Sequence, residues 1–293
     1  MKYWLFAVLA GCAATPAMAE TCVLTAQPGA SARVSYDPFA GAPTEAEVVI
    51  IVRNSGAEAC QARIFLTPID GSATLQLNQY RLNYEDRQFR GASPRGGQFG
   101  PYPISVPANG SETLRISLQI PAGQVVPPGT YLSELTTRAL SSSASGDPSI
   151  IDGPNLSLQA DVGARALVNI AGTTASSIHA GGMAPAKVDF GEIVQGATER
   201  VFVNVWANSS VSITLSSENG GELRRDGTDP ISPIRYQTTF DKQVVSLSAP
   251  YRTQRIPPLS ASGANYELAF TLLDPGRLAG IYRDTVTVTI DEN

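Results

Sequence analysis

An all-β chain of two tandem sandwiches is the fold this sequence predicts, on three observations. Short segments with period-2 alternation follow one another along most of the chain, separated by clusters of Gly, Pro, Asn and Ser. No window longer than about ten residues carries a convincing helical period. The strand series also runs twice, at an offset that stays near 152 residues.

Composition agrees. A chain of 293 residues suggests about two domains. Charged residues make up 16%, low against the roughly 25% typical of globular proteins. The net charge of −5 gives no electrostatic footprint for nucleic acid or an anionic membrane.

At the N-terminus, Lys2 precedes a short apolar run, Tyr3 to Gly11, and Ala17-Met18-Ala19 before Glu20 fits a signal-peptidase site. Residues 1–19 are therefore predicted to be a signal peptide. The run is too short to span a bilayer, and no later stretch reaches about 20 apolar residues, so the chain is expected to be exported without a membrane span. An alternative stays open: Leu9-Ala10-Gly11-Cys12 resembles a lipoprotein processing box, whose use would put lipid on Cys12. Either way Cys22 and Cys60 remain, an even pair in an oxidising compartment and hence a candidate disulfide. The competing reading is two unpaired buried thiols.

The first strand series is AEVVIIVRN (46–54), ARIFLTP (62–68), TLQLNQYRLNYED (74–86), ETLRISLQI (112–120) and TYLSELTTRAL (130–140). The second is VDFGEI (188–193), ERVFVNVWAN (199–208), VSITLSS (211–217), ISPIRYQTTF (231–240), YELAFTLLD (266–274) and IYRDTVTVTI (281–290). Tyr36 answers to Phe190, Tyr84 to Tyr236 and Tyr131 to Tyr282, at offsets of 154, 152 and 151. A steady offset between unlike residues points to a tandem duplication; chance matching of β-rich sequence is the alternative. The predicted domains are 20–145 and 166–293.

Between them, 141–155 is rich in small and turn-forming residues and reads as a linker. Leu156, Leu158, Ala160 and Val162 then alternate with polar residues as a strand would. The stretch 146–165 is thus a linker with a candidate strand that completes the first domain. At the far end, Val286, Val288 and Ile290 lie on one face of a well-formed strand followed by three polar residues. An uncovered apolar edge is an aggregation hazard. Either an earlier strand covers it or another chain does.

No catalytic constellation is present, and the chain is not predicted to be an enzyme. The single histidine, His179, sits in a stretch that reads as a loop, a poor metal-site candidate without a partner. No Walker loop, nucleophile elbow or EF-hand pattern occurs, and no cofactor or metal is expected. Asn109, Asn155 and Asn208 each open a glycosylation-type triplet, which carries little information here. Residues 80–103 combine aromatics with Arg, and Phe89, Arg90, Arg95 and Phe99 are candidates for a surface-contact loop. Residues 121–128 (PAGQVVPP) are a second candidate exposed apolar loop.

The pattern of an early Cys, YDPFAG, a second Cys, LNYEDRQ and IPAGQVVPPGTYLSELTT resembles the spore coat protein U domain family. The second unit repeats the outline with VDFGEIVQG, IRYQTTFD and GIYRDTVTVTI. It lacks cysteines, and the first unit has Ser133-Glu134-Leu135 where Asp-Thr-Val is more usual. The resemblance implies pilin-like, immunoglobulin-like sandwiches of archaic chaperone–usher pili, the second lacking its last strand. The missing strand is then supplied by a periplasmic chaperone, and after passage through an outer-membrane usher by a neighbouring pilin subunit. Val188, Phe190, Tyr282, Val286, Val288 and Ile290 would line the acceptor groove, and Leu156, Leu158, Ala160 and Val162 would fill the first domain's own.

A mature chain starting at Glu20 has no donor extension before Cys22, which places it, as an expectation, at the pilus tip on the cell surface. There it would act in attachment and biofilm formation. The runner-up readings are a periplasmic fimbrial chaperone of two immunoglobulin-like domains, a structural secreted protein of the spore coat U type, and a carbohydrate-binding accessory.

Overall fold

The computed structural model describes residues 22–88, 97–142, 149–172, 179–180, 188–227, 232–276 and 278–292. Within them the chain is all-β, in two sandwiches, each with its own core.

The first sandwich contains β1 (Leu24–Pro28), β2 (Ala32–Tyr36), β3 (Thr44–Asn54), β4 (Cys60–Pro68), β5 (Thr74–Leu77), β6 (Tyr80–Asn83), β7 (Glu85–Asp86), β8 (Phe99–Val106), β9 (Ser111–Ile120), β10 (Gly129–Ser142) and β11 (Ser149–Val162). One sheet runs β1-β3-β9-β7 and the facing one β2-β11-β10-β4-β8, with the β5–β6 hairpin attached to β10. Alternation sets the faces: in β3, Ala46, Val48, Ile50 and Val52 point inward and are fully buried. Opposite them stand Ile64 and Leu66 of β4 and Tyr131, Leu135 and Ala139 of β10.

The segment 149–162 belongs to this sandwich rather than to a linker. β11 pairs antiparallel with β10 along its length and parallel with β2 from Leu158 to Val162. Leu156, Leu158, Ala160 and Val162 are all buried in the first core. Gly153 and Pro154 sit where the β10–β11 register shifts opposite Thr137. Such a bulge tolerates a proline because the ladder is already interrupted there. Only residues 163–165 then separate β11 from the next strand.

Asp161 locks the C-terminal end of β11 to both neighbours. It accepts from Arg33 Nε of β2 at 2.7 Å and from Thr130 Oγ1 of β10 at 2.8 Å. These bonds, Arg33's first, hold its carboxyl down at about 2. A lowered folded pKa contributes stability that is present above the ordinary carboxylate value, about 3.9, and lost as pH falls through the folded one. The group is solvent-exposed, so the effect is small. Urea midpoints of wild type and Asp161→Asn should differ above about pH 4 and converge toward about pH 2. A gap that persists unchanged at pH 2 would contradict this.

The second sandwich contains β12 (Ala166–Ala171), β13 (His179–Ala180), β14 (Thr198–Ala207), β15 (Val211–Ser217), β16 (Glu222–Arg225), β17 (Ile234–Phe240), β18 (Gln243–Val245), β19 (Tyr251–Arg252), β20 (Ala264–Leu272), β21 (Tyr282–Arg283) and β22 (Val286–Glu292). The larger sheet runs β13-β12-β14-β20-β17-β16-β21, and the facing one β19-β15-β22. The core order β12-β14-β20-β17 repeats β1-β3-β9-β7 of the first sandwich. His179 lies in β13, its backbone paired with Val168, and not in the loop expected from sequence. At Gly263 (φ 71°) a Cβ would stand 2.6 Å from the Val205 carbonyl and 2.7 Å from the Trp206 ring. Only glycine fits that turn into β20.

Candidate strand-acceptor site

The two sandwiches differ at one edge. β10 is bonded on both sides, by β4 and β11. Its counterpart β22 is bonded, among the described residues, on one side only. Val286 faces Ser217, Val288 faces Leu215 and Ile290 faces Ile213, all on β15. The equivalent inward residues of β10 are fully buried, whereas Val286, Val288 and Ile290 are half-buried against the second core.

The other lip shows the same difference. Val34 and Tyr36 lie in β2, where their backbone pairs with Ala160 and Val162 of β11. Val188 and Phe190, their counterparts by sequence, pack half-buried on the second core but belong to no strand. Among the described residues no ladder includes 188–190, so the segment stays outside both sheets. Tyr282 lies in β21, opposite Arg225, with its hydroxyl donating to the Leu278 carbonyl at 3.1 Å.

Two further groove residues were not singled out from sequence. Val168 and Ile170 of β12 are half-buried on the same core, and β12 brings Cα atoms within 8 Å of β22 without sharing a ladder. The signal that could have found them is the alternation in ALVNIA (166–171), had it been aligned with β1. The result is a row of half-buried apolar side chains beside the one-sided edge of β22: Val168, Ile170, Val188, Phe190, Val286, Val288 and Ile290. Unpaired backbone beside apolar side chains at alternate positions suits the addition of an extended strand.

A conserved geometry across the repeat sits beside this edge. Tyr236 donates to Asp284, which also accepts from Ser217 Oγ at 2.6 Å and the Asn219 N–H at 3.0 Å. Burial, with the Asp284 bond adding to it, raises the Tyr236 hydroxyl's pKa. In the first sandwich Tyr84 meets Ser133 Oγ at 3.2 Å, and burial pushes Tyr84 up to about 12. Ser133 thus fills the place of the aspartate it replaces in the sequence motif.

Other candidates fall elsewhere. Phe89, Arg90 and Arg95 lie outside the described residues. Phe99 is 4% exposed, with its ring 5.7 Å from that of Tyr84, so it is a core residue and not a surface contact. Sequence could not show this, because an aromatic beside Gly and Pro reads alike in a core strand and a loop. The 121–128 loop is also not free: Val126 is buried, and the loop is held by Tyr36 and Tyr131. Cys22 and Cys60 form a disulfide that links the segment entering β1 to the start of β4 in the facing sheet. Asn208 is 2% exposed, which closes its triplet to a glycan.

No protein-family model matches the chain, and no curated protein matches it. Solved structures do. The CsuC–CsuE chaperone–tip adhesion subunit complex of the archaic chaperone–usher Csu pili of Acinetobacter baumannii is 14% identical, over 91% of this chain and all of that one, with a TM-score of 0.49. AggA, the major subunit of aggregative adherence fimbriae type I from Escherichia coli, is 18% identical over 48% of this chain and 94% of its own, at 0.27. The YadV chaperone is 11% identical over 93% of this chain and all of its own, at 0.23.

Proposed function

We propose that this chain is a non-enzymatic subunit of chaperone–usher pili that sits at the fibre tip and mediates bacterial attachment. The observation that carries the reading is the one-sided bonding of β22 among the described residues, set against the two-sided bonding of β10. The first sandwich takes β11 from its own chain. The second presents an open groove that a neighbouring subunit, or a periplasmic chaperone before assembly, fills with an extended strand. A subunit with one groove closed in cis and one open suits the end of a fibre.

In the alternative, a periplasmic chaperone, β11 would be the strand lent to clients. Its backbone from Leu158 to Val162 is already bonded on both sides and its apolar side chains are buried at home. That favours the tip-subunit reading.

Immunogold labelling of fibres on the producing bacterium, with mass spectrometry of shed fibres, tests the proposal. Label at fibre ends, and loss of surface attachment with fibres retained when the gene is deleted, are the expected results. A chain found only in the periplasm, bound one to one to several different pilins, would make it a chaperone instead.

A further inference from the structure

We propose that Asn208 is a brace that fixes the two sandwiches in one mutual orientation. The comparison with Asn54 carries the argument. Asn54 ends β3 and Asn208 directly follows β14, its counterpart; each is 2% exposed. Asn54 uses its amide wholly within the first sandwich. Its Nδ2 donates to the carbonyls of Glu58 at 2.7 Å and Pro107 at 3.1 Å, and its Oδ1 accepts from the N–H of Gly56 at 2.9 Å and of Val23 at 3.4 Å.

Asn208 keeps one of those roles and redirects the rest. Its Oδ1 accepts from the Arg165 N–H at 2.7 Å, just before β12, as Asn54 does from Val23 just before β1. Its backbone N–H donates back to the Arg165 carbonyl at 3.1 Å. The side-chain Nδ2, however, reaches the Gly163 carbonyl at 2.9 Å and, across the junction, the Val126 carbonyl of the first sandwich at 3.1 Å. Both amide hydrogens and the amide oxygen are therefore engaged. One buried side chain holds the three-residue connection and the other domain together.

The acceptor is itself fixed. Val126 is 8% exposed and packs in the first core. Its loop is tied down by the Tyr36 hydroxyl, which donates to Pro121 O at 3.0 Å and accepts from the Gln124 N–H at 2.9 Å. Tyr131 donates to Pro127 O at 2.8 Å. The Arg165–Asp37 pair, 3.7 Å apart and more than 45% exposed on each side, adds little. With both ends of the bridge rigid, force or orientation imposed on the second sandwich passes to the first. The Val126 carbonyl of the 121–128 loop is therefore turned toward the second sandwich.

The test uses the full exported chain, purified with whatever strand donor keeps it soluble. Spin labels are placed on Thr113→Cys and Glu199→Cys, both exposed and away from the joint. Pulsed electron–electron distance measurement should give one narrow distribution. Asn208→Ala, and Asn208→Asp, which keeps the acceptor for Arg165 but loses both donors, should each widen it at least twofold. Amide exchange of β14 and β20 should stay unchanged, and Arg165→Ala should leave the width nearly intact. A broad distribution in the wild type overturns the proposal whatever the variants do. So does an unchanged width in either folded Asn208 variant.

Discussion

A strand appended to the chain should close the second sandwich in cis and stabilise it as a monomer. The appended sequence is a short Gly-Asn turn followed by a copy of residues 149–162, placed after residue 293. It is chosen because Leu156, Leu158, Ala160 and Val162 already fill the equivalent place in the first sandwich. Burying a Leu or Val side chain is worth about 1.5–3 kcal/mol, against which stands the ordering of the new strand. A net gain of even about 1 kcal/mol raises the melting midpoint of a domain this size by about 3–4 °C.

Amide exchange in 286–292 should slow at least tenfold, because the free side of β22 gains a ladder. A control strand with Ser at the four apolar positions should do neither. Slow exchange of 286–292 in the unmodified monomer would sink the idea of an open groove, as would a melting midpoint indifferent to the added strand.

Replacing both Cys22 and Cys60 by Ser should destabilise the first sandwich by about 3–4 kcal/mol, on the chain-entropy account of a bridge across a separation of 38 residues. The bridge joins the two sheets of that sandwich, and Cys60 is itself 1% exposed, so the unbridged state also loses a tight contact. At a urea slope of about 1–3 kcal/mol per molar, the first-domain transition should fall by roughly 1–4 M. The second sandwich, which has no cysteine, should unfold where it did before. Equal loss in both domains would mean that they unfold as one unit, and no loss would mean the bridge does not form in solution.

Much of this was legible in the sequence at the level of single strands. The alternation in AEVVIIVRN placed Ala46, Val48, Ile50 and Val52 on one face, and they are one face of the core. The aligned tyrosines at 84 and 236 do occupy matching places, each bonded to the residue at 133 or 284. What local sequence leaves open is burial beside turns. Phe99 and the 121–128 loop are candidates for surface contact in sequence because turn-forming neighbours resemble surface loops, yet aromatic packing buries one and the Tyr36 and Tyr131 hydroxyls hold the other. Asn208 shows in sequence only a glycosylation-type triplet, because its partners lie 43 to 82 residues away.

The strands, their inward faces and the doubled strand series can be read from consecutive residues, because period-2 alternation and a steady offset are local signals. Which edges are bonded emerges only in the folded chain: β11 lies between a strand just before it and one more than a hundred residues earlier, while β22 has, among the described residues, a neighbour on one side. Pairing is a long-range choice among edges that look alike locally, so it is settled by the packing of the whole sandwich.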